Sequence, residues 1–157
     1  MDFDIKYQMT IIVGELSMKI ICFDFGDARI GVANSDIGES FAFAGTTIYV
    51  NGLEDAVNKS AQAVKDNNAQ MIVVGLPKNM DGSSSYRVER TKKYAQLLSD
   101  LTGLKVDFMD ERLSTMEAYT YLNITEFNGK KRKKVIDNLS AQIVLQSYLD
   151  MKKNKKN

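Results

Sequence analysis

Apolar positions along this chain follow two repeats, one of two residues and one close to 3.6, and the change between them marks out the elements. The run IICF (20–23) is short, β-branched and wholly apolar, as a buried central strand would be. RIGVANS (29–35) alternates apolar and polar, and the turn FGDA before it makes a hairpin with the first strand. TTIYV (46–50) reads as a third strand. In LEDAVNKSAQAVKDNN (53–68) the residues Leu53, Val57, Ala61 and Val64 share one helical face. MIVVG (71–75) is a second buried strand that ends in the loop LPKNMDGSSS. A helix follows over 87–103, with Val88, Thr91, Ala95 and Leu98 in register and Gly103 as its stop. KVDFMD (105–110) is the fifth strand. Ser114 and Glu117 have the spacing of a capping box and predict a short helix to about Leu122. A polar, basic loop ending in KKRKK (130–134) leads to a last helix over 135–151.

This order, three strands and then helices alternating with strands, predicts an α/β fold with a mixed sheet covered by helices. Right-handed crossovers make the first, fourth and fifth strands parallel. Ligands in such sheets gather beyond the carboxyl ends of the strands, where Asp24, Gly75, Asp110 and Glu111 all fall.

Composition narrows the chemistry. The 157 residues predict one domain, and 44% hydrophobic residues supply its core. No histidine is present, which excludes Ser-His-Asp triads, imidazole bases and nearly every zinc site. Cys22 is the single cysteine, and its place in mid-strand predicts a small buried hydrophobe. No run approaches the roughly 18 apolar residues of a membrane span. Residues 1–17 lack the basic start of a secretory signal and read as an extension, with Met18 as the expected natural start. The domain is expected over 18–151 and a basic tail over 152–157. The net charge of +1 is uneven: residues 1–127 carry 12 basic against 18 acidic side chains, and residues 128–157 carry 9 against 2. Basic blocks of this kind attract polyanions, although a solvated loop and a frayed end explain them equally well.

Carboxylates are then almost the only reactive groups left. Asp24 closes the innermost strand, where a turn-forming role alone would account for it. Glu111 stands between Asp110 and Arg112, and a surface ion pair would explain that triplet. Asp137 shares a helical face with Ala141, Val144 and Tyr148, and a carboxylate on a packed face is costly unless it is paired or binds a metal. Near a helix start it could also serve the helix dipole. Taken together, three acids delivered to one sheet edge fit Mg²⁺ or Mn²⁺, with Asp110 as a further candidate ligand. Two such ions about 4 Å apart could activate a water and stabilise the leaving oxygen of a phosphodiester. The loop after Gly75 offers donors in Lys78, Asn79 and Ser83, for phosphate contact or merely as a surface loop. Arg29 could bind phosphate or clamp the hairpin.

Four stretches, FDFGDARIGVANSD (23–36), VVGLPKNMDGSSSYR (73–87), DERLST (110–115) and KVIDNLSAQIVLQSYLD (134–150), resemble the YqgF/RuvX family in sequence and order. That family lies in the RNase H-like superfamily, beside the RuvC-type Holliday-junction resolvases. The resemblance implies a five-stranded RNase H-like sheet of order 3-2-1-4-5. It implies a cytoplasmic, Mg²⁺- or Mn²⁺-dependent nuclease of two-metal type that matures the 5′ end of pre-16S rRNA. By position, Asp24 matches the aspartate expected to touch both metals, Glu111 the acid of the DER motif and Asp137 the aspartate of the C-terminal helix. Arg29, Lys78, Asn79, Ser83, Arg112 and the block Lys130, Lys131, Arg132, Lys133 and Lys134 are the expected nucleic-acid contacts. Two departures stand out. Asn138-Leu-Ser140 replaces an Ala-rich step, and the second acid follows the fifth strand, where the resolvases carry theirs at the fourth. Precursor rRNA or a pre-ribosomal particle is the expected partner. Branched DNA is the alternative substrate, and a non-catalytic nucleic-acid-binding module is a reading from another class. An actin-like ATPase would need a second such domain. The oligomeric state is not legible.

Overall fold

The computed structural model describes residues 18–77, 85–111 and 129–156, with the side chains of the last helix described from Asn138 to Lys155. Its elements are β1 (Ile20–Phe25), β2 (Arg29–Ser35), β3 (Ala42–Ala44), β4 (Ile48–Tyr49), α1 (Leu53–Asp66), β5 (Met71–Leu76), α2 (Tyr86–Thr102), β6 (Val106–Asp110) and α3 (Gly129–Lys156). The sheet runs β3-β2-β1-β5-β6, with β4 also paired to β2. β2 is antiparallel to β1, and β5 is parallel to both β1 and β6. This is the expected order with its third member in two pieces.

The division of that strand corrects the expectation of a continuous strand over 46–50. β3 meets β2 at Ala33 and Ser35, β4 meets it at Arg29 and Ile30, and the chain between them approaches β2 at Gly45. The Gly45 amide donates to the Val32 carbonyl at 2.7 Å, and a Cβ at Gly45 would lie 2.9 Å from Val32 Cγ1. Only glycine fits so close a backbone approach.

The central strands are apolar throughout because both faces are covered. Ile21, Phe23 and Phe25 of β1, with Ile72 and Val74 of β5, pack under α1 and α2. Ile20, Cys22, Met71 and Val73 turn to the other face and pack against Ala141, Val144, Leu145, Tyr148 and Leu149 of α3. By the same alternation Asp24, Gly75 and Glu111 belong to the α3 face. On the opposite face Tyr94 stacks on Phe25 with ring centroids 4.3 Å apart and shares a 2.6 Å hydrogen bond with Ser60. That stack holds both helices against the strand end that bears Asp24.

α3 is longer than expected at both ends. The block 130–134 is helical rather than a loop, and residues 152–156 continue the helix rather than forming a tail. Lys and Arg are good helix formers, so charge did not stop the element. The predicted short helix from Ser114 lies outside the described residues. Among the described residues no helix is long and apolar enough to cross a membrane.

Candidate active site

The sheet delivers its acids along neighbouring strand ends. Phe23 pairs with Val74, so Asp24 lies one step further along, beside Gly75. Gly75 pairs with Met109, and the Glu111 amide donates to the Leu76 carbonyl at 3.2 Å, directly beyond β6. β5 separates β1 from β6, so Glu111 must reach across β5 to meet Asp24. It does so over Gly75: a Cβ on that glycine would lie 2.9 Å from both Cγ and Cδ of Glu111 and closer still to Oε1. The glycine is therefore part of the seat of the acid.

The two carboxyls touch. Glu111 is pushed up to about 9 by burial first, then by the charge of Asp24 and a hydrogen bond to it, with the Arg87 guanidinium opposing and Asp110 adding to the rise. Such a pair holds a proton between its members because two adjacent carboxylates cannot both ionise without a counter-charge. Cys22, two residues before Asp24 on the same face, is held well above the ordinary thiol range by burial and then by the same two acids.

Asp27 to Arg29 turn the chain from β1 into β2, and Arg29 is the first residue of β2. A cavity of about 240 Å³ opens here, lined by Asp24, Gly26, Asp27, Arg29 and Arg87 among others. A smaller space of about 100 Å³ adjoins it, bounded by Asp27, Arg87, Arg90 and Thr91. Arg90 Nε lies 3.3 Å from Asp27 Oδ1, and its guanidinium sits 6.0 Å from the centroid of the Phe25 ring.

Of the sequence-derived site residues, the structure brings Asp24 against Glu111 and sets Arg29 beside Asp24 in the lining of the larger cavity. Asp110 ends β6, and strand alternation gives it the face opposite Glu111. Asp137 lies in α3 directly before Asn138, whose Oδ1 accepts the Val32 amide at 3.3 Å. The Asp137 side chain lies outside the described set, as do those of Lys130, Lys131, Arg132, Lys133 and Lys134. Lys78, Asn79, Ser83 and Arg112 lie outside the described residues altogether. Among the described residues no group of three or more His, Cys, Asp or Glu side chains is placed to hold a metal. The Asp24–Glu111 pair supplies oxygen ligands of the kind Mg²⁺ and Mn²⁺ prefer, and two crowded carboxyls would be relieved by a cation, so the chemistry of the pair fits one. Arg87 was absent from the sequence-derived set. It ends the motif stretch 73–87, where it read only as a helix start.

The family described as "RuvX: Holliday junction resolvase" matches residues 18–151. A protein of Caldanaerobacter subterraneus subsp. tengcongensis named "Putative pre-16S rRNA nuclease" is 41% identical over 138 residues, covering 87% of this chain and 99% of its own. A Clostridioides difficile protein of the same name is 41% identical over 139 residues, covering 88% and 99%. Among solved structures, Thermus thermophilus RuvC in complex with Holliday junction substrate aligns with a TM-score of 0.58 at 11% identity, over 87% of this chain and 96% of that one. The fowlpox virus resolvase with its junction DNA aligns at 0.55 and 12% identity, over 85% and 98%. These two likenesses carry the fold alone. The match over 18–151 and the relatives near 40% identity carry the lineage: the chain belongs to the RuvX family.

Proposed function

We propose that this protein is a divalent-metal-dependent nuclease that hydrolyses phosphodiester bonds of precursor rRNA in the cytoplasm, at the 5′ end of pre-16S rRNA. The observation that carries the reading is the half-buried Asp24–Glu111 pair at the strand ends, with Glu111 raised to about 9. A carboxyl pair strained in this way is a poor structural element and a good cation ligand. Asp24, Glu111 and Asp137 are the residues that would hold Mg²⁺ or Mn²⁺. When bound, the ions would supply a Lewis acid for the phosphoryl oxygens and a nucleophilic water at neutral pH. Gly75 sets the reach of Glu111. Arg29 at the cavity rim meets the phosphate backbone, and the basic start of α3 draws the polyanion in.

The test is digestion of precursor ribosomal particles with and without Mn²⁺, with the Asp24→Asn protein beside the parent. Cleavage should require the metal and vanish in the variant, while both proteins melt at similar temperatures. An Asp24→Asn protein that cuts as fast as its parent under the same conditions overturns the reading. The fold shared with junction-bound RuvC favours one second reading, cleavage of branched DNA. Parallel digestion of a four-way junction separates the two.

A further inference from the structure

We propose that Arg87 forms, with the turn Gly26–Ala28 and Arg29, a subsite for a backbone phosphate neighbouring the one that is cut. This rests on the nuclease reading above and adds to it a binding site that the family's acids do not supply. The two adjoining cavities, about 240 and 100 Å³, both run along Gly26 and Asp27, and Arg87 lines both. The larger one begins at Asp24, so a strand with a phosphate over the carboxyl pair has its next residues in this trough.

The charges along the trough suit an anion. Asp27 would repel it, but Arg90 lies 3.3 Å from Asp27 Oδ1 and answers that charge. Arg90 is itself held over the Phe25 ring, whose other neighbour is Tyr94. Arg87 and Arg29 both line the larger cavity. A guanidinium offers two parallel donors that match two phosphate oxygens, which an ammonium cannot do. The larger cavity is walled by the turn, Phe25, two carboxylates and two guanidiniums, and those two guanidiniums are the groups that answer the charge of a phosphate.

The experiment is a salt titration of binding to a labelled single-stranded RNA in a chelator, where nothing is cut. Arg87→Gln should flatten the slope of log Kd against log salt by about 0.7, one phosphate contact on a single strand. Arg87→Lys should keep the slope and bind several-fold more weakly at every salt concentration. Lys92→Gln, on the exposed side of the same helix, should behave as the parent. A slope unchanged in Arg87→Gln overturns the proposal. So does an unchanged slope with weakened Mn²⁺ binding, which would make Arg87 a counter-charge to Glu111 only. If Arg87→Gln folds poorly, Arg87→Lys decides: affinity equal to the parent's overturns the fork-like contact. Failure of the nuclease reading looks different, since a parent that binds RNA with a normal slope yet never cuts leaves the subsite intact.

Discussion

Gly75 shows how far apart in sequence a cause and its residue can lie. It stands before a loop, and backbone freedom near a phosphate is the local explanation. Its structural reason is Glu111, whose side chain crosses the glycine to reach Asp24. Gly75→Ala should therefore displace Glu111 and cut cleavage by about 100-fold, the loss expected when a reacting group shifts by about 1 Å. The melting temperature should hardly change, because alanine suits a strand better than glycine does. Adding Glu111→Asp, which shortens the acid by one methylene, should restore part of the rate. A Gly75→Ala protein as active as the parent would show that the seat is unimportant. The acids themselves were legible, because a chain without histidine leaves few other groups for hydrolysis. Their meeting at one sheet edge was expected as well; what the sequence did not show is that Glu111 arrives by crossing Gly75.

Glu111 also sets a pH dependence. Its folded pKa is about 9 against 4.5 for the free group, raised by burial and by Asp24. An acid raised on folding favours the folded state while protonated, so stability is highest below the unfolded value and is lost as pH climbs towards the folded one. In a chelator the melting temperature should fall between pH 4.5 and about 9, and Glu111→Gln should flatten that fall. Mn²⁺ should raise the melting temperature most at the alkaline end, where the acids are free to ligate. Thermal melts across pH check all three, and a melting temperature that rises over this interval in chelator contradicts the argument.

At the scale of the element, α3 joins the two halves of the sheet. Gln146 accepts the Ala42 amide at 2.9 Å and donates to the Ser40 carbonyl at 3.0 Å, and Gln142 donates to the Ala42 carbonyl at 3.0 Å. These amides close an edge strand that would otherwise offer itself for pairing. At the other side of the sheet, Tyr148 donates to Asp107 of β6 at 2.5 Å. Asn138 takes the Val32 amide in the gap between β3 and β4, where the sheet provides no strand. Asn138→Ala leaves that amide buried and unanswered and should destabilise the protein by about 1–2 kcal/mol. Because Asn138 adjoins Asp137, weaker Mn²⁺ binding should accompany it. Chemical denaturation and metal titration test the pair, and a variant unchanged in both would leave Asn138 without a role in placing the helix. The apolar face of α3 was legible from its repeat. Its true length was not, because a basic run looks like a loop when judged by charge alone. The edge strand was misjudged for a related reason: TTIYV has strand-like residues, but its pairing is decided by how Gly45 meets Val32.

At the scale of the molecule, the parallel strands and their ends were readable because two wholly apolar strands announce a sheet covered on both faces, whereas the order across the sheet was implied only by the family resemblance. α3 joins an acidic body to a basic C-terminal stretch: residues 128–157 hold 9 of the 21 basic side chains. Helical continuity from Gly129 to Lys156 puts both basic blocks on one rod instead of on two loose segments. The acids and the long basic rod thus belong to one packed unit, in which α3 covers the face that carries Asp24.

One consequence follows from the thiol beneath the acids. Cys22 is fully buried in the central strand and is the only cysteine in the chain. A water-soluble disulfide reagent can reach it only after the strand parts from its neighbours, so modification of the native protein should run at the frequency of those excursions. Mn²⁺ should slow that labelling, and rapid modification without it would mean that the heart of the sheet breathes freely. A lone sulfur atom thereby becomes a stopwatch for how tightly an ion knits the strands together.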